Sequence, residues 1–273
     1  MNIERVLGNQ KSVRLSEIIQ ETPLIKTLKL PANGRTMFRP GQFLMVWVPE
    51  VDEIPMSISM QDNTSIAVTV LPIGDSTRKL CSLKSGDWIG VRGPFGSFFE
   101  TTSERALVVG GGVGMAPLRP LVYALLQRER EVTLLIAAKT RDELVYYNEF
   151  SKNNSPSFKL EIATDDGSLG YKGFATEAAE HLLSNYDFDM IYTCGPELMM
   201  ATLHKLALNH KIAIQASLER FMKCGCGICG SCAMDPTGDL VCLDGSVFTG
   251  EELSKFTDFG KYHRDAVGIK REF

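Results

Sequence analysis

The chain has 273 residues, 44% of them hydrophobic and 23% charged, with a formal net charge of -4. That length suits two domains plus an appendage better than one small core, and the weakly acidic balance lacks the basic stripe of a nucleic-acid or membrane-surface binder. No apolar run approaches the roughly 20 residues needed to span a bilayer, and the first residues carry Glu4 with no apolar stretch of signal-peptide kind, so the expected location is cytoplasmic, without nucleic-acid or membrane partners.

Residues 1–100 read as β. Short apolar or alternating runs recur at 24–30, 43–48, 65–71 and 88–92. Turn signals separate them: Pro31-Ala32-Asn33-Gly34, Arg39-Pro40-Gly41, Lys84-Ser85-Gly86-Asp87 and Gly93-Pro94-Phe95-Gly96. Many short strands with such punctuation predict a barrel or sandwich. The rhythm changes near Thr101-Thr102-Ser103. Buried strands are predicted at 106–109, 132–138, 159–164, 190–193 and 212–216, with helices at 117–128, 144–150, 175–183 and 197–209. Strand and helix alternate, which predicts a parallel α/β sheet over 101–216. Residues 217–250 break that pattern. They are rich in cysteine and glycine and are expected to fold around something other than apolar side chains. The tail, 251–273, is polar, with a basic bias at Lys261, Arg264, Lys270 and Arg271, and is expected at the surface or facing a partner.

Five of the seven cysteines fall within 224–242, and Cys81 and Cys194 stand apart. In a reducing compartment such crowding argues for metal rather than disulfides. Cys224-x4-Cys229-x2-Cys232, with Cys242 following after nine residues, has the plant-type spacing of a 2Fe-2S cluster. Gly225, Gly227 and Gly230 let the loop wrap the cluster and aim backbone N–H groups at sulfur. Cys226 is a fifth cysteine within the loop, read as a small filler or, against that, as a ligand. A zinc site from the same set is the competing metal, although only Cys229 and Cys232 form a C-x2-C arm.

Gly110, Gly111, Gly112 and Gly114 lie between a predicted strand and a helix start at Met115-Ala116-Pro117. Backbone N–H groups at a helix N-terminus suit a pyrophosphate, and glycine permits close approach. Met115 breaks the strict G-x-G-x-x-G fingerprint, so a tight turn without a ligand is the alternative. Cys194-Gly195-Pro196 follows another buried strand, at the carboxyl end of the sheet where ligands bind in open α/β folds. Cys194 alone reads equally well as a buried structural thiol. Trp47 and Trp88 are expected in the barrel core, Cys81 in packing, and His181, His204 and His210 on solvated helix faces.

Pro55-Met56-Ser57, the glycine loop running to Pro117-Leu118, and Cys194-Gly195-Pro196 together resemble the ferredoxin-NADP reductase superfamily. Within it, TDDGSLGYKG at 164–173 and the cysteine pattern are similar to the electron-transfer subunits of dihydroorotate dehydrogenase B, over nearly the whole chain. The resemblance implies a six-stranded antiparallel FAD-binding barrel over 1–100, an NAD-binding α/β domain over 101–216, a 2Fe-2S subdomain over 217–250 with Cys224, Cys229, Cys232 and Cys242 as ligands, and a tail over 251–273. It implies that Pro55, Met56 and Ser57 line the isoalloxazine, that Thr69, Val70 and Leu71 follow the ribityl and pyrophosphate, and that Gly74, Ser76 and Thr77 bind the pyrophosphate. Cys194, with Gly195 and Pro196, would position the nicotinamide, and Asp165 would meet the adenosine; Asp165 and Asp166 disfavour a 2′-phosphate, which Lys139, Arg141 and Lys172 oppose. Two departures stand out: Ile54 replaces an arginine, removing a phosphate contact worth ~1.5–3 kcal/mol, and Ser76 replaces a glycine. The implied partner is an FMN-containing dihydroorotate dehydrogenase catalytic subunit in a heterotetramer, with electrons passing through the cluster and FAD to NAD+. Relatives with another partner, a sulfhydrogenase, a sulfite reductase or a ferredoxin, share these motifs. A zinc-loaded binding module without turnover is the rival of another class.

Overall fold

In the run Phe43–Val48 every side chain but Trp47 is buried. Leu44, Val46 and Val48 enter one core, and Phe43 and Met45 enter another. In a computed structural model, which describes residues 9–32 and 37–273, this strand lies at the junction of two cores. The opening residues and the turn expected at Asn33-Gly34 lie outside the described residues.

The first sheet comprises β1 (Lys11–Arg14), β2 (Glu17–Gln20), β3 (Lys26–Pro31), β4 (Phe43–Val48), β5 (Asp52–Gln61), β6 (Ser65–Val70) and β7 (Trp88–Phe95), in the order β1-β7-β4-β5-β6-β3-β2. It therefore has seven strands, not the expected six. The extra strand arises because the first segment breaks at a corner. Leu15 N–H still donates to Asp87 O on the β7 side (2.9 Å), whereas Ser16 N–H donates to Lys29 O of β3 (2.8 Å). The two halves of one segment thus finish opposite edges of the sheet and curl it toward closure. Helix α1 (Asp75–Ser82) covers one end, with Leu80 and part of Cys81 packed on the barrel core. Trp47 and Trp88 are not in that core. They lie on the outer face, 39% and 51% exposed, because β-alternation turns them away from Val46 and Ile89.

The second sheet holds β8 (Arg105–Gly111), β9 (Glu131–Ala138), β10 (Phe158–Thr164), β11 (Tyr171–Lys172), β12 (Met190–Cys194), β13 (Ala213–Ser217) and β14 (Val247–Thr249), ordered β11-β10-β9-β8-β12-β13-β14. Its pairs are parallel except β13 with β14. Helices α2 (Met115–Gln127), α4 (Ala175–Asn185) and α5 (Glu197–His210) accompany it. The helix expected at 144–150 is reduced to one turn, α3 (Tyr147–Phe150), because Tyr146 adopts a left-handed conformation (φ 63°). His204 is buried rather than solvated, with its Nε2 2.9 Å from Gly250 O.

Two expectations about the C-terminal third are corrected. Residues 217–250 do bury apolar side chains: Leu218, Met222, Met234, Val241 and Phe248 form a core with Phe43 and Met45 of the barrel. The tail is only partly at the surface. It opens with α6 (Gly250–Leu253), and Leu253, Phe256 and Phe259 enter the same core before the exposed hairpin of β15 (Tyr262–Arg264) and β16 (Lys270–Glu272).

Candidate functional site

Strand β5 serves two partners. Residues 52–57 pair with β4, and only from Ile58 onward does it pair with β6 (Ile58↔Val68, Gln61↔Ile66), with a bulge between Ile58 and Met60. Beyond Val68, β6 continues against β3 alone. The two strands therefore splay. Pro55, Met56 and Ser57 stand on one lip of the opening, and Thr69, Val70 and Leu71 on the other. Pro55 is tolerated in a sheet interior because its strand has an open edge here. Ile54 and Met56 pack against the barrel core, leaving Pro55 and Ser57 to the opposite face.

Thr69 and Val70 are buried, so their side chains are occupied by protein. Thr69 Oγ1 donates to Ser59 Oγ (2.8 Å), lies 2.8 Å from Thr27 Oγ1, and is hydrogen-bonded to the phenol of Tyr146. Tyr146 comes from the second sheet's side of the molecule. Its ring lies under the Arg119 guanidinium (4.8 Å), and Arg119 pairs with Glu149 (2.8 Å). Burial pushes the Tyr146 phenol up, keeping it a neutral donor. This bridge between barrel and nucleotide domain was not anticipated from the sequence, since a left-handed tyrosine has no pattern signature.

At the start of α1, Thr77 Oγ1 accepts from the N–H groups of Gly74 (2.9 Å) and Ile73 (3.0 Å), fixing the turn. Ser76 is half-buried beside it. Arg78 folds back onto Ile73 O (2.9 Å) and Asp75 (2.8 Å). A guanidinium thus stands at this helix N-terminus, while Ile54, in the position of the family's arginine, is turned into the core.

Gly110 pairs with Cys194 across β8 and β12, so the glycine loop and Cys194-Gly195-Pro196 lie side by side at the carboxyl ends of the strands. Packing explains most of the glycines. A Cβ on Gly110 would lie 2.1 Å from Met115 Sδ, one on Gly111 2.8 Å from Pro196 Cδ, and one on Gly114 2.4 Å from Cys194 O. Only Gly112 of the four faces open space, with φ +53°. Burial pushes the Cys194 thiol up to about 12, with the charge of Glu219 adding to the effect, so it stays protonated. Glu219 was missed by sequence reasoning. It is reached by solvent yet hemmed in by protein, and burial followed by the charge of Glu197 raises its carboxyl. Its available signal was its place two residues beyond β13, at the same end of the sheet as Cys194. Asp165 and Asp166 follow β10, one strand beyond β9. Asp165 is exposed, and Asp166 accepts from Ser168 Oγ (2.6 Å) and N–H (2.9 Å).

The cysteine loop is an excursion between β13 and β14. Gly225, Gly227 and Gly230 have φ of 66°, 82° and 71°, which L side chains resist. The turns aim the N–H groups of Cys226 (3.5 Å), Ile228 (3.3 Å) and Cys229 (3.4 Å) at Cys224 Sγ, and that of Gly227 (3.2 Å) at Cys242 Sγ. Burial pushes the Cys224 thiol up, but those N–H groups outweigh it and bring it down to about 6. Among the described residues no group of three or more His, Cys, Asp or Glu side chains is drawn together as a metal-ion site. The plant-type spacing of Cys224, Cys229, Cys232 and Cys242 and the N–H groups aimed at two of the sulfurs suit a two-iron cluster, whereas only Cys229 and Cys232 form the C-x2-C arm that zinc sites pair. The loop lies against the barrel: a Cβ on Gly225 would lie 2.5 Å from Met45 Cγ, and Met45 is the cross-strand neighbour of Pro55.

The family described as an oxidoreductase NAD-binding domain matches residues 108–205, and the iron-sulfur cluster binding domain of dihydroorotate dehydrogenase B matches residues 219–254. A Methanocaldococcus jannaschii protein named as a probable dihydroorotate dehydrogenase B (NAD+) electron transfer subunit is 44% identical over 94% of this chain and 96% of its own. A Methanocella arvoryzae protein of the same name is 42% identical over 96% and 98%. A solved NADH-dependent reduced ferredoxin-NADP oxidoreductase superposes with a TM-score of 0.79 at 30% identity, covering 88% of both chains. An Amycolatopsis cytochrome P450 reductase shares the fold, with a TM-score of 0.66 at 20% identity over 75% of this chain and 68% of its own. Similarity of this extent, end to end and including the cysteine loop, places the chain in the family of dihydroorotate dehydrogenase B electron transfer subunits.

Proposed function

We propose that the chain is the electron-transfer subunit of an NAD-dependent dihydroorotate dehydrogenase in the cytoplasm, working with an FMN-containing catalytic subunit. The observation that carries the reading is the convergence of three features. The cysteine loop packs on Met45, the cross-strand neighbour of Pro55 at the splayed β5–β6 opening, and Arg220 at the loop's base bonds to Glu197 beside the Gly112–Cys194 corner. When bound, FAD exchanges a hydride with NAD(H) and single electrons with a 2Fe-2S cluster, so no protein acid or base is required for the transfer.

The chain's residues bind, orient and exclude water. Pro55 and Ser57 offer a flat, half-buried edge for the flavin ring, and Leu71 with the Gly74–Thr77 turn offers N–H groups toward the pyrophosphate. Arg78 supplies the cation that Ile54 does not. Gly112 gives the nucleotide backbone access, and the neutral Cys194 thiol is a small contact that adds no charge beside the nicotinamide. Asp165 and Asp166 favour NAD over NADP. Cys224, Cys229, Cys232 and Cys242 hold the cluster, and their backbone donors stabilise its negative charge. The domains are proposed as 1–100, 101–216 and 217–250, with 251–273 closing the third core.

The test is a visible spectrum with iron and labile-sulfide analysis, followed by NADH-dependent dye reduction and co-purification from the native host. Flavin and cluster bands together with a bound FMN subunit are expected. A colourless protein refutes the flavin and cluster assignments. A strong NADPH preference refutes the NAD assignment. Co-purification with a ferredoxin or a sulfite-reducing subunit instead would assign the same chemistry to a different partner and refute the dihydroorotate reading.

A further inference from the structure

Cys226 has no place among four ligands, yet it is buried, 6% exposed. Its side chain lines one cavity with Cys224 and Arg92, and its own N–H donates to Cys224 Sγ (3.5 Å), so its thiol stands beside the first ligand and the guanidinium. Arg92 is fixed from the barrel. Its Nε donates to Glu53 Oε1 (2.7 Å), and its Nη2 donates to Glu53 Oε2 (2.6 Å) and to Cys224 O (2.6 Å). Strands β5 and β7 thereby reach across to the first cysteine of the loop with a bidentate, largely buried ion pair, its side chains 12% and 21% exposed.

Which of the two sulfurs can donate follows from ligand chemistry. A cysteine that holds iron does so as a thiolate, which can only accept. Cys226, which holds no iron, keeps its S–H and can turn it to Cys224, with the Arg92 guanidinium lining the same cavity. An added electron makes the cluster and its thiolates more negative. N–H and S–H donors and a nearby cation stabilise that state more than the oxidised one, and partial burial keeps the effect from being screened.

We propose that Cys226 and Arg92 are positioning residues for the cluster: together they aim one S–H donor and one fixed guanidinium at the ligand Cys224 and so favour the reduced cluster. The inference rests on the 2Fe-2S reading above. It makes Cys226 neither a filler nor a ligand.

The experiment is an EPR-monitored redox titration of the purified holoprotein, with iron, labile sulfide and flavin counted per chain in every variant. Cys226→Ala is expected to keep wild-type iron and sulfide while its midpoint falls by an amount equivalent to about a tenfold change in the reduced-to-oxidised ratio, ~59 mV for a one-electron couple. Cys226→Ser, which keeps a donor, recovers most of the fall. Arg92→Gln lowers the midpoint as well, and the double variant falls by less than the sum because both residues act on one ligand. An unchanged midpoint in Cys226→Ala overturns the proposal. So does loss of iron from both Cys226 variants, which would make Cys226 a ligand. If only the alanine variant loses iron, the Arg92→Gln midpoint decides: lowered supports the proposal, unchanged overturns it. A wild-type protein without labile sulfide sinks the cluster reading and this proposal with it, whereas the other negative results leave the cluster reading standing.

Discussion

Replacing Arg220 by alanine should damage the protein more than any surface change, because of what it leaves behind. Arg220 makes a two-pronged bond to Glu197, one prong at 2.8 Å, and lies 3.5 Å from Asp258. All three side chains are no more than 5% exposed. Removing the guanidinium strands two buried carboxylates, with Gly260 N–H (3.0 Å) still bonded to Glu197. Breaking a buried pair on one side costs about 3–5 kcal/mol, and at roughly 2–4 °C per kcal/mol for a chain of this size the melting temperature should fall by about 6–20 °C. The network also joins functional parts. Glu197 directly follows Cys194-Gly195-Pro196, and Arg220 stands four residues before Cys224. Iron should therefore be lost on heating before flavin. Circular-dichroism melts with parallel iron and flavin release measure both effects. A companion protein carrying Glu197→Gln, Arg220→Met and Asp258→Asn removes the charges together and should recover most of the loss, since neutral replacement of a buried ion pair is often close to neutral. An Arg220→Ala protein within about 1 kcal/mol of wild type, or a companion no better than the single variant, refutes the reasoning.

Gly114→Ala places a Cβ 2.4 Å from the Cys194 carbonyl oxygen, a backbone atom that cannot step aside, so the KM for NADH should rise about tenfold with flavin and iron content unchanged. Tyr146→Phe removes the phenol that bridges to Thr69; a loss of about 1 kcal/mol is expected, read as several-fold faster FAD release on gel filtration. Cys194→Ala should slow hydride transfer in stopped flow without changing FAD content, and unchanged kinetics would remove Cys194 from the site. Burial lowers the His204 pKa against the opposing Gly250 carbonyl, so the folded state resists a proton that the unfolded chain accepts. That contribution to stability is intact above the unfolded value of about 6.5 and is lost as pH falls below it. His204→Gln should therefore reduce the drop in urea midpoint between about pH 7.5 and 5.5, and an undiminished drop would assign it to other groups.

Legibility in the sequence followed from how local each signal was. The cysteine spacing, the glycine loop and the alternating second domain are local patterns, and the strands and helices there lie within a few residues of expectation. Strand β5 escaped because it is divided between two partners. Its residues face the barrel core on one side and an open edge on the other, so no clean alternation develops. The break at Leu15-Ser16 is a tertiary event, visible only when β3 and β7 are both in place. Tyr146 and the Glu53–Arg92 pair are defined by what they meet across long sequence separations; Arg92 and Cys224, for example, are 132 residues apart. The two tryptophans were misplaced because size and apolarity favour burial, while the outer face of β4 and β7 needs cover only where the cysteine loop reaches it.

Packing alone already demands three of the four glycines in the loop. Glycines 110, 111 and 114 are required by close approach to Met115, Pro196 and Cys194, and Gly112 faces open space. The two loops are therefore one packed unit, which Glu197 and Arg220 extend to the base of the cysteine loop. That loop is tethered at both ends to the same sheet, by β13 and β14, and is held against the barrel by Ser246 Oγ on Gly41 O (2.9 Å) and by Arg92 on Cys224 O (2.6 Å). Among the described residues, hydrogen bonds and close packing tie the β5–β6 opening, the Gly112–Cys194 corner and the cysteine loop to one another. Short, fixed spacing is what a relay needs, because positional error among its centres costs more than any single contact contributes.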